Sequence, residues 1–229
     1  MQINFAEHLS GGRTTRGVVR IGDTVRRPAT SNSAFVRSLL AHLERSNFAG
    51  VPRHLGTDDD DRDIFSYLPG DVPSELGAHP DHVLESAAKL IRGFHDATAP
   101  LVNADSAVLS GIEVICHNDP SPCNTVFRAG TPVELIDFDN SCPGTRAFDL
   151  GYAAWMWLDL GSPDWTAADQ LRRLRLFLAA YGPGPTEPEV IASAIQRQTI
   201  VLATGDRTGN QSMADWALGC RQWMLSHFR

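Results

Sequence analysis

Between Cys116 and Asn140 the chain runs CHNDPSPCNTVFRAGTPVELIDFDN, which crowds His117, Asp119, Asn124, Asp137 and Asp139 into one short window. Thr125 to Phe127 and Val133 to Ile136 favour β-structure, and the Gly and Pro within 128–132 supply a turn, so the window predicts a hairpin. Paired symmetrically about that turn, Asn124 and Asp137 face each other at the open end, with Cβ atoms about 5 Å apart. An amide oxygen and a carboxylate held that close make a hard, oxygen-only site suited to Mg²⁺, which takes few protein ligands and leaves its other positions to water and phosphate. Asp119, in the loop just before, falls within reach of whatever such an ion orients and can accept a proton from an attacking hydroxyl. A fold that uses these groups together has to bring the mouth of a β-ribbon into a cleft.

The flanking sequence says what surrounds the ribbon. RGVVRIG and TVRRP are short β-rich runs joined at Gly22-Asp23, a hairpin dipeptide. SNSAFVRSLLAHLERS then sets Phe35, Val36, Leu39, Leu40 and Leu43 at helical spacing, with Ser31, Asn32 and Ser33 as capping candidates. PRHLG and IFSYLPG flank the acidic run Asp58 to Asp61, which reads as a solvated hairpin tip because the spaced ligands and Gly of a calcium loop are missing. LPGDVP, from Leu68 to Pro73, is turn-rich and marks a hinge. Beyond it, HPDHVLESAAKLIRGFHDAT is amphipathic, with Val83, Leu84, Ala87, Ala88 and Ile91 on its apolar face. Three helical segments follow the window: AFDLGYAAWMWLDL, AADQLRRLRLFLAAYG, and Pro188 through Leu225 with a break near Thr204 to Asn210. The expected fold class is α+β in two lobes, a β-rich one over residues 1–70 and a helical one over 71–229 that carries the loop and the substrate site.

Composition narrows the partners. With 229 residues, 42% hydrophobic and 21% charged, the chain has the make-up of a soluble globular protein with a sizeable core. A net charge of -7 argues against nucleic acid, whose phosphates call for clustered Lys and Arg. The four cysteines show no CxxC pair and no His at zinc-site spacing, so neither a disulfide framework nor a structural zinc is expected, and a reducing cytoplasm is the expected location. MQINFAEHLS has no basic stretch followed by an apolar segment, and no apolar run approaches the ~20 residues of a membrane span.

The window resembles the catalytic core of the aminoglycoside phosphotransferase and choline kinase-like family, relatives of the protein kinases. The family signature, His-x-Asp-x-x-x-x-Asn followed by a hairpin and Ile-Asp-Phe/Trp-x, stands here as His117-Asn118-Asp119-Pro120-Ser121-Pro122-Cys123-Asn124 and Ile136-Asp137-Phe138-Asp139. The resemblance implies a protein-kinase-like two-lobe fold. It further implies Mg²⁺-dependent transfer of phosphate from ATP or GTP to a hydroxyl of a small molecule such as an aminoglycoside, an amino alcohol or a sugar. On that pattern Asp119 orients the acceptor hydroxyl as base, Asn124 and Asp137 hold the metal, and His117 braces the loop. Asp139 either reaches a second metal or the substrate, or is simply solvated. RAFDLGYA looks like the family's Asp-Leu-Ala segment, in which an Asp at a helix start, here Asp149, supports the catalytic loop. A carboxylate in a first helical turn also stabilises by about 0.3 to 1 kcal/mol whatever else it does.

Two family elements are missing: the phosphate-holding Lys of an N-lobe strand and the Glu that positions it from the next helix. Lys89 is the only lysine, and TVRRP offers Arg26, with Arg27 as second choice, at the Lys position. Arg and Lys differ in shape and hydration, so the exchange is not neutral. The helix that follows has no acid at its start, and Glu44 lies near its end. SGGRTTRG, with Gly11, Gly12 and Gly17, is a loosely spaced Gly-rich segment able to cover phosphates through its amides, and Cys123 stands where the family often has Gly. These departures motivate a second reading, a catalytically impaired nucleotide-binding or regulatory protein of kinase-like fold. A metallohydrolase with His117 and Asp119 as ligands lacks a second His cluster. His95 reads as a helix C-terminal His, and Tyr152, Trp155, Trp157 and Trp165 as core rather than as a cation-binding cage.

Overall fold

The computed structural model describes residues 7–8, 17–102 and 111–228, so Gly11 and Gly12 lie outside the described residues. The N-terminal part is an antiparallel sheet of β1 (Glu7–His8), β2 (Val19–Ile21), β3 (Thr24–Pro28), β4 (His54–Thr57) and β5 (Arg62–Ser66), in the order β1-β2-β3-β5-β4. Gly22, at φ +61, turns β2 into β3 between Ile21 and Thr24, where the Gly-Asp dipeptide predicts it. Between β3 and β4 lies α1 (Ser33–Arg45), which buries Val36, Leu39, Leu40 and Leu43 of the positions that its periodicity picked out and leaves Phe35 partly buried. Asn32 occupies the N-cap position without capping through its side chain. Its amide instead donates to the carbonyls of Asp139 and Ser141, at 2.8 and 3.2 Å, tying the start of α1 to the segment after the hairpin.

The remainder is mainly helical. It comprises α2 (Asp81–Thr98), the paired strands β6 (Val114–Cys116) and β9 (Cys142–Gly144), the hairpin β7 (Thr125–Arg128) and β8 (Thr131–Leu135), and then α3 (Arg146–Leu158), α4 (Ala167–Tyr181), α5 (Glu187–Thr208) and α6 (Gln211–His227). The expected break after α5 falls at Gly209, whose φ of +72 suits glycine at a helix C-terminus. No described helix is long and apolar enough to cross a membrane.

One core fills the helical part, built on Leu84, Ile91, Leu150, Trp157, Leu174 and Phe177. A second joins the two parts: Leu39, Leu40, Leu43 and Phe65 pack with Phe94 of α2, Ile115 of β6, Leu135 of β8 and Phe138. Each such side chain withdrawn from water contributes on the order of 2 kcal/mol. The turn-rich LPGDVP segment is fastened to β7, since Asp71 and Phe127 exchange backbone hydrogen bonds of 2.9 and 2.8 Å. Gly70, at φ +149, lies so close to this strand that a Cβ there would meet the Phe127 carbonyl oxygen at 2.5 Å.

The hairpin departs from the symmetric register expected of it. Arg128 pairs with Thr131 and Phe127 with Pro132, but Val126 pairs with Glu134 and Thr125 with Leu135, so Val133 is an extra, bulged residue. The Ile136 amide then donates to the Asn124 carbonyl at 2.9 Å, and Asn124 opposes Ile136 rather than Asp137. Asp137 lies one residue further on, with φ 66 and ψ 67. A left-handed conformation at a non-Gly residue redirects the chain, and here it starts the short helical turn Phe138–Asn140.

Candidate active site

The His117–Asp119 loop is suspended from a single buried carboxylate. Asp149, fully buried at the start of α3, accepts from the backbone amides of His117 (2.9 Å) and Asn118 (2.7 Å), and His95 Nε2 donates to it at 2.9 Å. Burial alone would raise the Asp149 pKa, yet the hydrogen bonds from His95 and the His117 amide hold it below the ordinary carboxylate value. His95 is thus more than a helix-terminal His. With Nε2 donating, its Nδ1 accepts from the Tyr181 hydroxyl at 2.8 Å, and Arg146 donates to that oxygen at 3.0 Å. Asp149 thus contacts the loop that it was expected to support.

His117 links the loop to the hairpin. Its Nε2 donates to the Ile136 carbonyl at 3.0 Å, its Nδ1 accepts from the Asp119 amide at 3.3 Å, and its ring packs 4.6 Å from that of Phe138. Asn118 holds φ 66, a conformation that Asn tolerates better than most residues. Its side chain is used throughout: Nδ2 donates to the Asn140 carbonyl (2.9 Å) and Cys142 Sγ (3.1 Å), while Oδ1 accepts from Arg197 Nη1 at 3.1 Å. Arg197 Nη2 also donates to the Asn118 carbonyl. The Arg197 guanidinium lies 4.7 Å from the Phe148 ring centroid and 4.5 Å from that of Tyr152.

Asp119 follows immediately. Burial pushes its carboxyl pKa up, and His117 and the nearby hydroxyls of Tyr152 and Ser121 oppose that shift. Tyr152, expected in the core, packs partly buried against the Trp155 cluster and also lies beside Asp119, and Trp155 and Trp157 are buried as expected. Trp165 is half-buried beneath Arg173. Asn124 is tied to the same loop, its amide nitrogen donating to the Asp119 carbonyl at 3.1 Å.

A cleft of about 390 Å³ opens beside these groups. Asn124, Asp137 and Phe138 line one end, and Val18, Val25, Phe65, Leu68 and Val126 are among its apolar walls. Arg27, rather than Arg26, faces into it. Side chains alternate along β3, so Val25 and Arg27 share the cleft face and Arg26 points away. There Arg26 donates to Asp58 at 3.4 Å. Asp58 closes the β4–β5 turn, taking the amides of Asp60 and Arg62 on one oxygen and the Arg62 guanidinium on the other.

The Arg27 guanidinium spans the two acids of the hairpin end. Both of its terminal nitrogens lie 3.2 Å from Asp137 Oδ1, and Nη2 lies 2.6 Å from Asp139 Oδ2. Burial raises the Asp139 pKa and the Arg27 charge opposes it. Asp139 is therefore engaged rather than solvated. The oxygens of Asn124 and Asp137 are hard donors of the kind Mg²⁺ takes, and two protein ligands suit an ion that keeps water and phosphate in its remaining positions. Among the described residues no group of three or more His, Cys, Asp and Glu has a metal-holding arrangement. The sequence offered Arg27 only as second choice to Arg26, because strand parity decides between them, and gave no sign of Arg197, which a helix far along the chain supplies.

Comparison with known proteins bears on the family and the fold. The profile of the Phosphotransferase enzyme family matches residues 103–191. The trifolitoxin immunity protein of Rhizobium leguminosarum bv. trifolii is 30% identical, the match covering 95% of this chain and 93% of that protein. Among solved structures, the GDP complex of aminoglycoside 2'-phosphotransferase-IIIa aligns with a TM-score of 0.66 at 15% identity, covering 100% of this chain and 95% of the other. A choline/ethanolamine kinase family protein from Mesorhizobium loti aligns with a TM-score of 0.62 at 17% identity, covering 97% and 88%. The gentamicin complex of APH(2")-IIa aligns at 0.61 and 15% identity, covering 97% and 91%. At these identities the structural matches establish a shared kinase-like fold.

Proposed function

Since this chain belongs to the phosphotransferase enzyme family, we propose that it transfers a phosphoryl group from ATP or GTP to a hydroxyl of a small molecule. The observation that carries this reading is the placement of Asp119, on a loop fixed by Asp149, next to a cleft whose end is lined by Asn124 and Asp137. The apolar walls take the nucleoside and the polar end takes its phosphates. Asp119 accepts a hydrogen bond from the acceptor hydroxyl, orients it for in-line attack and takes its proton, its raised pKa making it a better base than an exposed carboxylate. The nearby hydroxyls of Tyr152 and Ser121 favour its ionised form. Asn124 and Asp137 would hold Mg²⁺, which when bound supplies neutralisation of charge on the transferring phosphate.

The experiment is a transfer assay with γ-labelled ATP and GTP against a panel of hydroxyl-bearing acceptors. Aminoglycosides, amino alcohols and sugars belong in it, and so does trifolitoxin, for which the 30% identical relative is named. Label transferred to an acceptor by the wild type, and lost in Asp119→Asn, supports the reading. If the label stays with the nucleotide across the panel, the phosphotransferase reading is refuted.

A second reading, a nucleotide-binding or regulatory protein without efficient catalysis, is favoured by one observation: Arg27 spans Asp137 and Asp139 in a chain lacking the usual Lys and Glu. Nucleotide-dependent thermal stabilisation without turnover would single it out.

A further inference from the structure

The contact of Arg27 with Asp137 and Asp139 has the geometry of a blocked cation site. Asp137 Oδ1 accepts from both terminal nitrogens, at 3.2 Å each, and Asp139 Oδ2 accepts from Nη2 at 2.6 Å. A divalent cation on the same oxygens would need their lone pairs and would be repelled by the guanidinium charge beside it. A guanidinium fork also matches phosphate oxygens, which it binds in the same two-pronged manner as carboxylates. In kinase-like sites a Glu of the helix after this strand keeps the basic residue aimed at the phosphates. Here α1 begins Ser-Ala-Phe-Val-Arg, and its Arg37 turns the other way to pair with Asp63 at 2.7 Å. The acids at the hairpin end take the place of that missing Glu.

We propose that Arg27 is a lock on the Asp137–Asp139 carboxylate pair, closed to free divalent cations and opened when nucleotide phosphates draw the guanidinium away. The opening step rests on the nucleotide reading above; the closed state does not. The consequence is linkage: phosphate that captures Arg27 raises the affinity of the carboxylates for the cation, and by reciprocity a bound cation frees Arg27 for phosphate.

The closed state is tested with Mn²⁺ alone, followed by the paramagnetic signal of the free ion, on the full-length wild type, Arg27→Met and Arg27→Lys. The expected result is binding to Arg27→Met at least about tenfold tighter than to wild type, within the range of site-to-site couplings, with Arg27→Lys between them and the gain abolished when Asp137→Asn is added. Equal Mn²⁺ affinity in wild type and Arg27→Met overturns the lock. Should Arg27→Met fail to fold, Arg27→Lys, which keeps the charge but not the fork, carries the comparison. The opening step is tested by the affinity of a non-hydrolysable ATP analogue in EDTA, expected to be about tenfold weaker in Arg27→Met than in wild type. Equal affinity in the two proteins overturns that step. An analogue that binds wild type neither in EDTA nor with Mn²⁺ refutes the nucleotide reading and the opening step together, and leaves the Mn²⁺ comparison to decide the closed state.

Discussion

Asp149 Oδ2 and the backbone amide of His117 lie 2.9 Å apart, and the same oxygen accepts from His95 Nε2 at 2.9 Å. Removing this carboxylate leaves three buried donors without an acceptor. Asp149→Ala is expected to lose on the order of 3 kcal/mol of stability, read as a lowered urea midpoint, and to abolish transfer because the loop loses its suspension. A variant as stable as wild type contradicts the arrangement.

The same carboxylate sets a pH dependence. Its pKa is held below the ordinary 3.8 in the folded chain, so the unfolded chain binds the proton more readily. Asp149 therefore favours the folded state above the unfolded carboxylate pKa, and this contribution fades as pH falls through the lower folded value. Acid unfolding should begin at a higher pH in Asp149→Asn than in wild type, which circular dichroism across an acid titration would register.

Asp119 has the opposite sign. Burial raises its pKa, so the ionised base is reached only above the ordinary carboxylate range. The rate of transfer is expected to rise with pH on an acid limb displaced upward from 3.8, and Asp119→Asn to cut kcat by about 10² to 10⁴ while nucleotide affinity stays near wild type. A pH–rate profile flat down to the ordinary carboxylate pKa would count against Asp119 as base.

Arg197 acts through Asn118. Arg197→Met removes both hydrogen bonds to a residue held at φ 66, and the neighbouring Asp119 should lose its fixed direction. The expected signature is a fall in kcat of about tenfold or more with the nucleotide KM little changed, since Arg197 does not line the cleft. A changed nucleotide KM at constant kcat would show instead that its influence runs through the nucleotide.

Gly70 is the glycine with least room near the site. An added Cβ meets the Phe127 carbonyl oxygen at 2.5 Å and Val126 Cγ1 at 2.6 Å, at φ +149. Gly70→Ala should cost about 1 to 3 kcal/mol. Gly219→Ala, within α6 and open around its Cβ, should instead gain up to about 1 kcal/mol. Thermal melts of the two variants moving in the same direction would contradict this.

Periodicity and local chemistry made the helices and the window legible. The apolar faces of α1 and α2 followed the 3.6-residue repeat, and Asp119, Asn124 and Asp137 stood close enough in sequence for one loop and one hairpin to gather them. The rest depended on relations that no local pattern encodes. Arg26 and Arg27 are chemically identical neighbours, and only the parity of β3 against its sheet partners sends one to Asp58 and the other to Asp137. The bulge at Val133 follows Pro132, which is compatible with either the turn or a bulge, so the register could not be read from it. His95 gains its role because α2 delivers it to Asp149, 54 positions away, and Arg197 gains its own from a helix 79 positions beyond Asn118.

Phe138 separates the two acids of the hairpin end, and its ring, 2% exposed, is wedged against those of Phe94 and His117. Swinging Asp137 out of the cleft and Asp139 away from Arg27 by inverting this turn would drag an aromatic side chain into water and leave a ring-sized void, at a cost of about 3 to 5 kcal/mol. The chain is thereby denied the backbone flip as an off switch. Any switching of the two acids is therefore expected to come from the groups that contact their side chains, as Arg27 does.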